Sequence, residues 1–459
     1  MQPQIEFKIN SVLLQSDQMS DDIELNPVVT DIDIYEDIRK PYLTADLVFL
    51  DNSNIIDGAM IIGGEKITIN IEKNTENSSP IIKTFYVHRI SQQNRTGVNA
   101  QVIALHLVEE CFYISNLYNI NRFYEGKGSE IIKKIVNEFL EKQLVYGPSD
   151  TSSRRVGGIQ TSETQQYKLI VPNLNPLQAA MWIKNKLTTI DGWPFYLYST
   201  FVSDNLVLKD LQTLMTDKIL NPNQSFVWSH MNITPPEPHI ARKTILNYKN
   251  VPGEDLIKLI TEGFIGSKFS YINTALDTKD KVTFDYDIVE DFLKPAIEDG
   301  TLSKNQPNPS FSPEFKHNNK SFNKIQSRHI ALMGGSNPYR VTNLPEDAEE
   351  MPQYPLALGE AYDEGTYKQF VNSYAARQLL VKSPINMTVD GFDFIDGDKH
   401  STIGNQIRCL FKKSNPSSIA ESIDTKLSGD YIIFRARHII KPQSYNVSLN
   451  MVKLGDRKI

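Results

Sequence analysis

The feature that most constrains this chain of 459 residues is an internal repeat of a β-strand pattern. The segments TADLVFLDNSNIIDG at 44–58 and GEKITINIEK at 64–73 have the order strand, turn, Ile-Asp-Gly, strand. The same order returns near the other end, in INMTVDGFDFIDG at 385–397 and GNQIRCLFKK at 404–413. Two alternating runs that predict a hairpin follow each copy, at 84–90 and 101–108 and again at 431–437 and 445–452. A repeat of this length predicts two β modules of one design.

Alternation of apolar and polar residues continues through most of 5–110. Ile67, Ile69 and Ile71 lie on one face of a predicted strand, because successive side chains of a strand point to opposite faces. The opposite face of the same strand is polar, so one face is buried and the other contacts water. The region therefore predicts a small antiparallel barrel or sandwich.

Helical spacing appears only after Cys111. Ser129 is a plausible N-cap for an amphipathic helix at 129–140. Asn175 is placed to cap a second helix that begins at Pro176 and runs to about residue 188. Short aromatic strands at 193–198 and 205–209 complete a predicted α+β insert, and a further helix is predicted at 366–382.

The predicted fold class is α+β and β-rich, with two similar antiparallel β-barrel domains and α+β insert domains. The length suggests about three domains, since one hydrophobic core does not grow to this size. The predicted domains are a first β-barrel at 1–110, an α+β insert at 111–232, a second β-barrel from 233–290 with 384–459, and an irregular insert at 291–383 that ends in a helix.

Composition and charge exclude some classes of function. Apolar residues make up 40% and charged residues 22% of the chain, as in ordinary globular proteins. The net charge of -7 argues against a protein that grips nucleic acid through clustered Lys and Arg. Cys111 and Cys409 lie in apolar runs, which predicts buried thiols and no disulfide framework. With no signal peptide or membrane-length apolar run, we expect folding in a cytoplasm.

The search for chemistry returns no candidate site. The run GAMIIGGEKIT at 58–68 superficially resembles a phosphate loop, but Glu65 separates the glycine from Lys66 and a strand follows instead of a helix. His88 and His106 are predicted to face each other on neighbouring strands. Without Cys or carboxylate partners at ligand spacing, they are better explained as structural histidines. The acidic run at 346–350 is typical of a solvated loop.

The sequence contains no Gly-X-Ser-X-Gly motif of hydrolases, no HEXXH motif of zinc proteases and no CXXC pair. We therefore predict no catalytic, cofactor-binding or metal-binding residues and no cofactor, and we expect that the protein is not an enzyme.

Five segments in a fixed order carry a family resemblance. They look like the central baseplate hub protein of contractile-tailed bacteriophages, to which the hub part of type VI secretion spikes is related. The segments are IYEDIRKPYLTADLV at 34–48, IGGEKI at 62–67, IVPNLNPLQA at 170–179, SGDYIIFRARHI at 428–439 and SLNMVKLGD at 448–456.

This resemblance implies a structural protein of the virion tail baseplate. The implied assembly is a homotrimer in which each chain gives two barrel domains, called tube domains, so that three chains form a pseudo-sixfold ring. Such a hub joins the hexameric tail tube to the trimeric central spike, contacts neighbouring baseplate wedge proteins, and lets double-stranded DNA pass during ejection without specific binding. Like charge would keep phosphates from sticking to an acidic protein.

Residues 294–361 match no part of that family. They are rich in Pro, Asn, Ser and Gly, and show little periodicity. We hypothesise that this segment becomes ordered only when neighbouring baseplate proteins bind. Limited proteolysis of the isolated protein should then cut there first.

Two other functions stay open. A carbohydrate-binding tail adhesin would also be β-rich, and binding of the purified protein to a glycan array would favour it. A cell-wall hydrolase is the enzyme alternative. It would turn over peptidoglycan, and a single carboxylate substitution would abolish that turnover.

Overall fold

The fold is described by a computed structural model in which strands predominate. The described residues are 7–19, 21–75, 78–95, 100–146, 166–216, 219–221, 224–228, 242–250, 257, 267–273, 282–284, 316–321, 328–334, 364–377, 384–395, 402–413, 423–424 and 427–453.

The first part of the chain is almost entirely strand. Its elements are β1 (Phe7–Gln15), β2 (Ile23–Glu24), β3 (Val29–Asp37), β4 (Thr44–Asp51), the one-turn helix α1 (Ile55–Gly58), β5 (Lys66–Lys73), β6 (Ile81–Arg95) and β7 (Gln101–Glu109). The predicted alternation is confirmed in β5, where Ile67, Ile69 and Ile71 are buried. The predicted turn before Ile55 contains Asp51, whose carboxylate accepts hydrogen bonds from the backbone N–H groups of Ser53 and Ile55.

Helices and short strands form the next part. These elements are α2 (Glu110–Ser115), β8 (Phe123–Lys127), α3 (Gly128–Leu140), β9 (Leu144–Val145), β10 (Gln166–Ile170), α4 (Pro176–Lys184), β11 (Phe195–Thr200), β12 (Ser203–Asp210) and α5 (Leu211–Thr216). They enclose a second hydrophobic core, separate from the one that runs through the large sheet.

Two predicted helix starts have different outcomes. Asn175 caps α4 as predicted, in a capping box with Gln178, although the helix ends at Lys184 and not near residue 188. The predicted N-cap at Ser129 is wrong, because α3 begins at Gly128 after Lys127. Ser129 instead lies fully buried inside the first turn.

The remaining described elements belong to the last half of the chain. They are β13 (Phe226–Trp228), β14 (Ile245–Asn250), β15 (Ser267–Asn273), β16 (Val282–Phe284), β17 (Lys316–His317), β18 (Lys320–Ser321), β19 (Arg328–Gly334), α6 (Glu364–Ala376), β20 (Pro384–Asp390), a 3₁₀ turn (Phe392–Phe394), β21 (Gln406–Phe411), β22 (Gly429–Lys441) and β23 (Ser444–Lys453).

Thirteen of the described strands form one curled sheet, and its main path is β14-β20-β23-β22-β3-β4-β7-β6-β5-β1-β2. Neighbours along this path are antiparallel; β21 pairs with the first half of β22, and β13 pairs with β21 in parallel. The predicted β-rich α+β fold is confirmed. The two ends of the chain meet inside the sheet, where β22 pairs with β3.

The two halves of this sheet have the same topology. In the first half the order is β3-β4-β7-β6-β5, and in the second it is β14-β20-β23-β22-β21. The strands correspond in the order given: β3 to β14, β4 to β20, β7 to β23, β6 to β22 and β5 to β21. We call these two five-strand units the first and second modules.

Residue registers support the same equivalence. The pairing of β3 with β4 shifts between Val29 and Asp31, and the pairing of β14 with β20 shifts between Ile245 and Asn247. The pairing of β6 with β7 and that of β22 with β23 also shift at matching places, directly after Val87 and Ile433. Because a bulge is a specific local feature, these two matched pairs indicate one design built twice, although β6 has a further shift between Ile90 and Gln92 that β22 lacks.

Several strands fall outside the predicted division of the chain. Strands β15 and β16 pair with each other, and β15 pairs in parallel with β19, in a separate three-stranded sheet. Part of 294–361 is therefore a regular strand, although the sequence pattern predicted little structure there. Strand β13, from the end of the predicted insert, pairs with β21 of the second module. The domain boundaries themselves stay predictions.

Candidate assembly surfaces

The two modules meet where β22 pairs with β3. The register runs from Arg435 opposite Asp37 to Ile440 opposite Ile32. We call this contact the internal seam. It is made only by the second half of β22, because the first half pairs with β21. The seam gives the sheet one face that continues from one module into the other.

The polar face of the internal seam carries a row of ion pairs. Arg435 lies 2.6 Å from Asp37, and Arg437 lies 2.7 Å from Asp33. Further along, Lys441 lies 3.0 Å from Asp31. The hydrogen bond with Asp33 raises the pKa of Arg437. Each of these seam cations is thus held beside a carboxylate that offsets its charge.

A second polar cluster lies next to this row. The Tyr35 hydroxyl donates to Asp46 over 3.0 Å, and Asp46 also lies 2.8 Å from Nδ1 of His106. Burial, and then the charge of Asp46, raises the pKa of Tyr35 to about 12. The rings of His88 and His106 are 6.0 Å apart, so the predicted proximity of these histidines is confirmed. In the part of the chain that the structure describes, no three His, Cys, Asp or Glu residues group as metal ligands.

The opposite face of the internal seam buries charged and aromatic groups. Nδ1 of His438 lies 2.7 Å from the Tyr445 hydroxyl, and its Nε2 lies 3.2 Å from Glu36. Neither this Nε2 nor the Glu36 oxygen nearest to it makes a hydrogen bond to a described residue. Glu36 also accepts a hydrogen bond from the backbone N–H of Phe201, and the Phe201 ring packs on His438. The insert thus closes over the seam from the core side.

A buried ionic cluster joins the first module to the insert. Glu109, at the end of β7, accepts hydrogen bonds from Lys142, from the Ser199 hydroxyl and from the backbone N–H of Leu43. Lys83 lies 3.9 Å from the same carboxylate. Burial alone raises the pKa of Glu109, but the neighbouring lysines outweigh it and hold that pKa at about 2. This cluster links the insert to the end of β7 in the first module.

Two equivalent loops of the modules differ in exposure. In the second module Thr402 and Ile403 are both 0% exposed, and the next residue, Gly404, lies against Tyr198 and Leu214 of the insert. In the first module the side chains of Met60 and Ile62 are 60% and 88% exposed. Glu65 accepts hydrogen bonds from the backbone N–H groups of Ile62 and of the next residue, which fixes this loop. The first module therefore presents a fixed apolar loop where the second is already covered.

Within the two modules, two strand edges lack a neighbour among the described residues. Strand β14 ends the path of the large sheet and pairs along its length with β20 alone. The second half of β6, from Arg89 to Arg95, pairs with β7 alone, because β5 pairs only as far as Tyr86. Unpaired backbone groups at such edges are natural sites for pairing with another chain. The sequence pattern alone did not identify these two edges, because both are polar.

Other motifs of the sequence have structural roles. The glycine-rich run at 58–68 leads into β5 and not into a helix, so it lacks the geometry of a phosphate loop. Cys111 and Cys409 are buried and unpaired, and burial raises the pKa of each thiol. The acidic run at 346–350 lies outside the described residues. Among the helices that the structure describes, none is long and apolar enough to cross a membrane.

Comparison with known proteins identifies the fold. A scan against protein-family models and a search of curated protein sequences found no match. The chain is similar to a tail protein from Neisseria meningitidis MC58, with 10% identity and a TM-score of 0.52 over 98% of each chain. It is also similar to the 43 kDa tail protein of prophage MuSo2 from Shewanella oneidensis, with 12% identity and a TM-score of 0.52 over 97% of this chain and 98% of the other. The chain therefore has the fold of phage tail proteins, in agreement with the resemblance found in its sequence.

Proposed function

We propose that this chain is a structural hub of a phage-type tail baseplate, which assembles as a homotrimer. Three chains with two modules each present six similar units around one axis. A ring of this kind joins a hexameric tail tube on one side to a trimeric central spike on the other. The role is mechanical and non-enzymatic, in a virion tail.

The matching topology of the two modules carries this proposal. A homotrimer presents three copies of any single surface, whereas a sixfold partner presents six. Two units with the same strand order and two bulges in common, side by side in one sheet, remove this mismatch. The similarity to two tail proteins along nearly the whole chain supports the same role.

The polar face of the internal seam suits the wall of a passage for DNA. A duplex is held mainly by cations that neutralise its phosphates. On this face Arg437 and Lys441 are already neutralised by Asp33 and Asp31, and the chain as a whole is acidic, with a net charge of -7. Cations that are held beside carboxylates in this way let DNA slide instead of holding it.

The partners follow from the exposed surfaces. The apolar loop with Met60 and Ile62 is a contact site for a neighbouring tail component, either the tube or the ring itself. The spike and the wedge proteins would contact the insert and the residues after it. Permanent interfaces of this kind bury about 2,000 Å² or more.

Mass and shape in solution test the proposal. The purified chain should have the mass of a trimer by light scattering, and electron microscopy should show rings with six similar lobes and a central hole. A monomer, or rings with only three lobes, would contradict the hub role. Glycan-array binding by a monomer would favour the carbohydrate-binding adhesin.

A further inference from the structure

The internal seam is a template for a contact that the single chain leaves open. At this seam the second half of one long strand, β22, pairs with the first strand of the other module, β3. The strands that correspond to them in the opposite modules are β6 and β14. Both have an unpaired edge in the described part of the chain.

Register fixes which residues correspond. Strand β7 pairs with β6, and its counterpart β23 pairs with β22. Starting from the shared bulge, the residues of β7 can be aligned one by one with those of β23. Gln93 and His438 lie opposite equivalent residues of β7 and β23, so they correspond to each other. At the internal seam His438 lies opposite Ile34. Asn250 corresponds to Ile34, because both follow the shared bulge of the first strand by the same number of residues.

We infer that neighbouring chains of the ring join by antiparallel pairing of β6 from one chain with β14 from the next. Gln93 then lies opposite Asn250, Asn94 opposite Lys249, and Arg95 opposite Tyr248 of the neighbouring copy. This inference rests on the proposed ring and adds its contact surface. The pairing joins the sheets of all chains into one closed sheet.

The residues at both edges suit such a contact. Gln93, Asn94 and Arg95 are exposed, and Asn250 is half-buried. At the internal seam the residues that correspond to Gln93 and Asn250 point towards the core, so the two amides would meet on the core side and can bond to each other. Backbone hydrogen bonds supply the rest of the contact, as in other cases of strand addition. A head-to-tail contact of this kind closes into a ring.

The two edges do not pair with each other among the described residues of one chain. In the main path of the sheet, β14 and β6 are separated by β20, β23, β22, β3, β4 and β7. Neighbouring strands lie about 4.8 Å apart, so the two edges are roughly 30 Å apart along the sheet. One chain therefore offers both halves of the contact, on two strands that do not pair with each other.

Cysteine cross-linking tests the register. The variant Q93C/N250C places two thiols directly opposite each other across the proposed contact. Opposite Cα atoms in antiparallel strands lie about 4.5 to 5.5 Å apart, within the range of a disulfide. The matched control is N94C/N250C, whose thiols lie one residue out of register on opposite faces. Oxidised glutathione is the oxidant, and the two native thiols are buried.

The products distinguish the outcomes. On a non-reducing gel, Q93C/N250C should give covalent dimers and trimers in more than half of the chains, at least tenfold more than N94C/N250C. Trimeric rings without selective cross-linking would overturn the strand pairing and leave the hub role intact. Chains that stay monomeric by light scattering would contradict both.

Discussion

Releasing the paired cations on the polar face should convert a surface that does not hold DNA into one that does. The variant D31N/D33N removes the carboxylates that neutralise Lys441 and Arg437. These two side chains are about half exposed, so phosphates can reach them. Exposed ion pairs of this kind contribute about 1 kcal/mol or less to stability, so the variant should fold and assemble.

The expected size of the effect follows from the number of cations. Two released cations per chain give six in a ring of three chains. The logarithm of the DNA-binding constant falls with the logarithm of salt by about 0.9 per neutralised phosphate, so the slope should be roughly -5. Binding should weaken about a thousandfold between roughly 50 and 200 mM salt. Fluorescence anisotropy of a short linear duplex measures both values.

The control variant E125Q/E138Q removes the same charge elsewhere. It releases Lys168 and Arg122, which pair with Glu125 and Glu138 on the insert. Wild-type protein and this control should bind the duplex weakly at every salt concentration. Equal binding by both variants, or none by D31N/D33N rings, would refute the argument that the polar face is the wall of the passage.

Three further changes test the packing. Glu109→Gln should lower the free energy of unfolding at pH 7, measured by urea denaturation, by about 3 kcal/mol. The wild-type protein should lose the same stabilisation as the pH falls from 4.5 to about 2, which is the pKa of Glu109 in the folded state. Burial, and then the charge of Arg377, lowers the pKa of Lys184 to about 7. Lys184→Met should therefore raise the free energy of unfolding at pH 6, measured in urea, by about 2 to 4 kcal/mol. The increase of that free energy between pH 7 and pH 10, which the wild-type protein should show, should become smaller in the variant. Gly404→Ala should lower the Tm more than Gly64→Ala, because both positions have positive φ but only the first places a new methyl 2.6 Å from another side chain.

The sequence predicted the modules well because their signal is local. Alternation at Ile67, Ile69 and Ile71 follows from one buried sheet face, and the repeat of this pattern revealed the second module. The cap at Asn175 was also predictable, since a capping box involves only neighbouring residues. The histidine pair was visible for the same reason, as its strands are adjacent along the chain.

The internal seam could not be predicted from the sequence. Arg437 and Asp33 are 404 residues apart, and each alternates with apolar residues as any solvent-exposed charge does. Nothing local distinguishes an Arg that faces water from one that faces an Asp of the other module. The strand at 328–334 was missed for a similar reason, because it pairs in parallel with 267–273, a segment far away in the chain that was predicted to be β.

The internal seam and the proposed contact between chains form at different stages, and this difference explains why equivalent strands carry different residues. The internal seam forms while the chain folds, so Ile32, Ile34 and Ile440 can be fully buried there without ever lying at an open edge of the folded protein. The edges of β6 and β14 face water until a neighbouring chain binds. An apolar strand edge in that position would pair with any exposed strand and cause aggregation. Amide side chains such as Gln93 and Asn250 keep a free edge soluble and still bond across a specific contact. The polar character of β14 and of the second half of β6 is therefore what a contact between separately folded chains requires, and it accounts for a repeat that is clear in strand order but weak in residue identity.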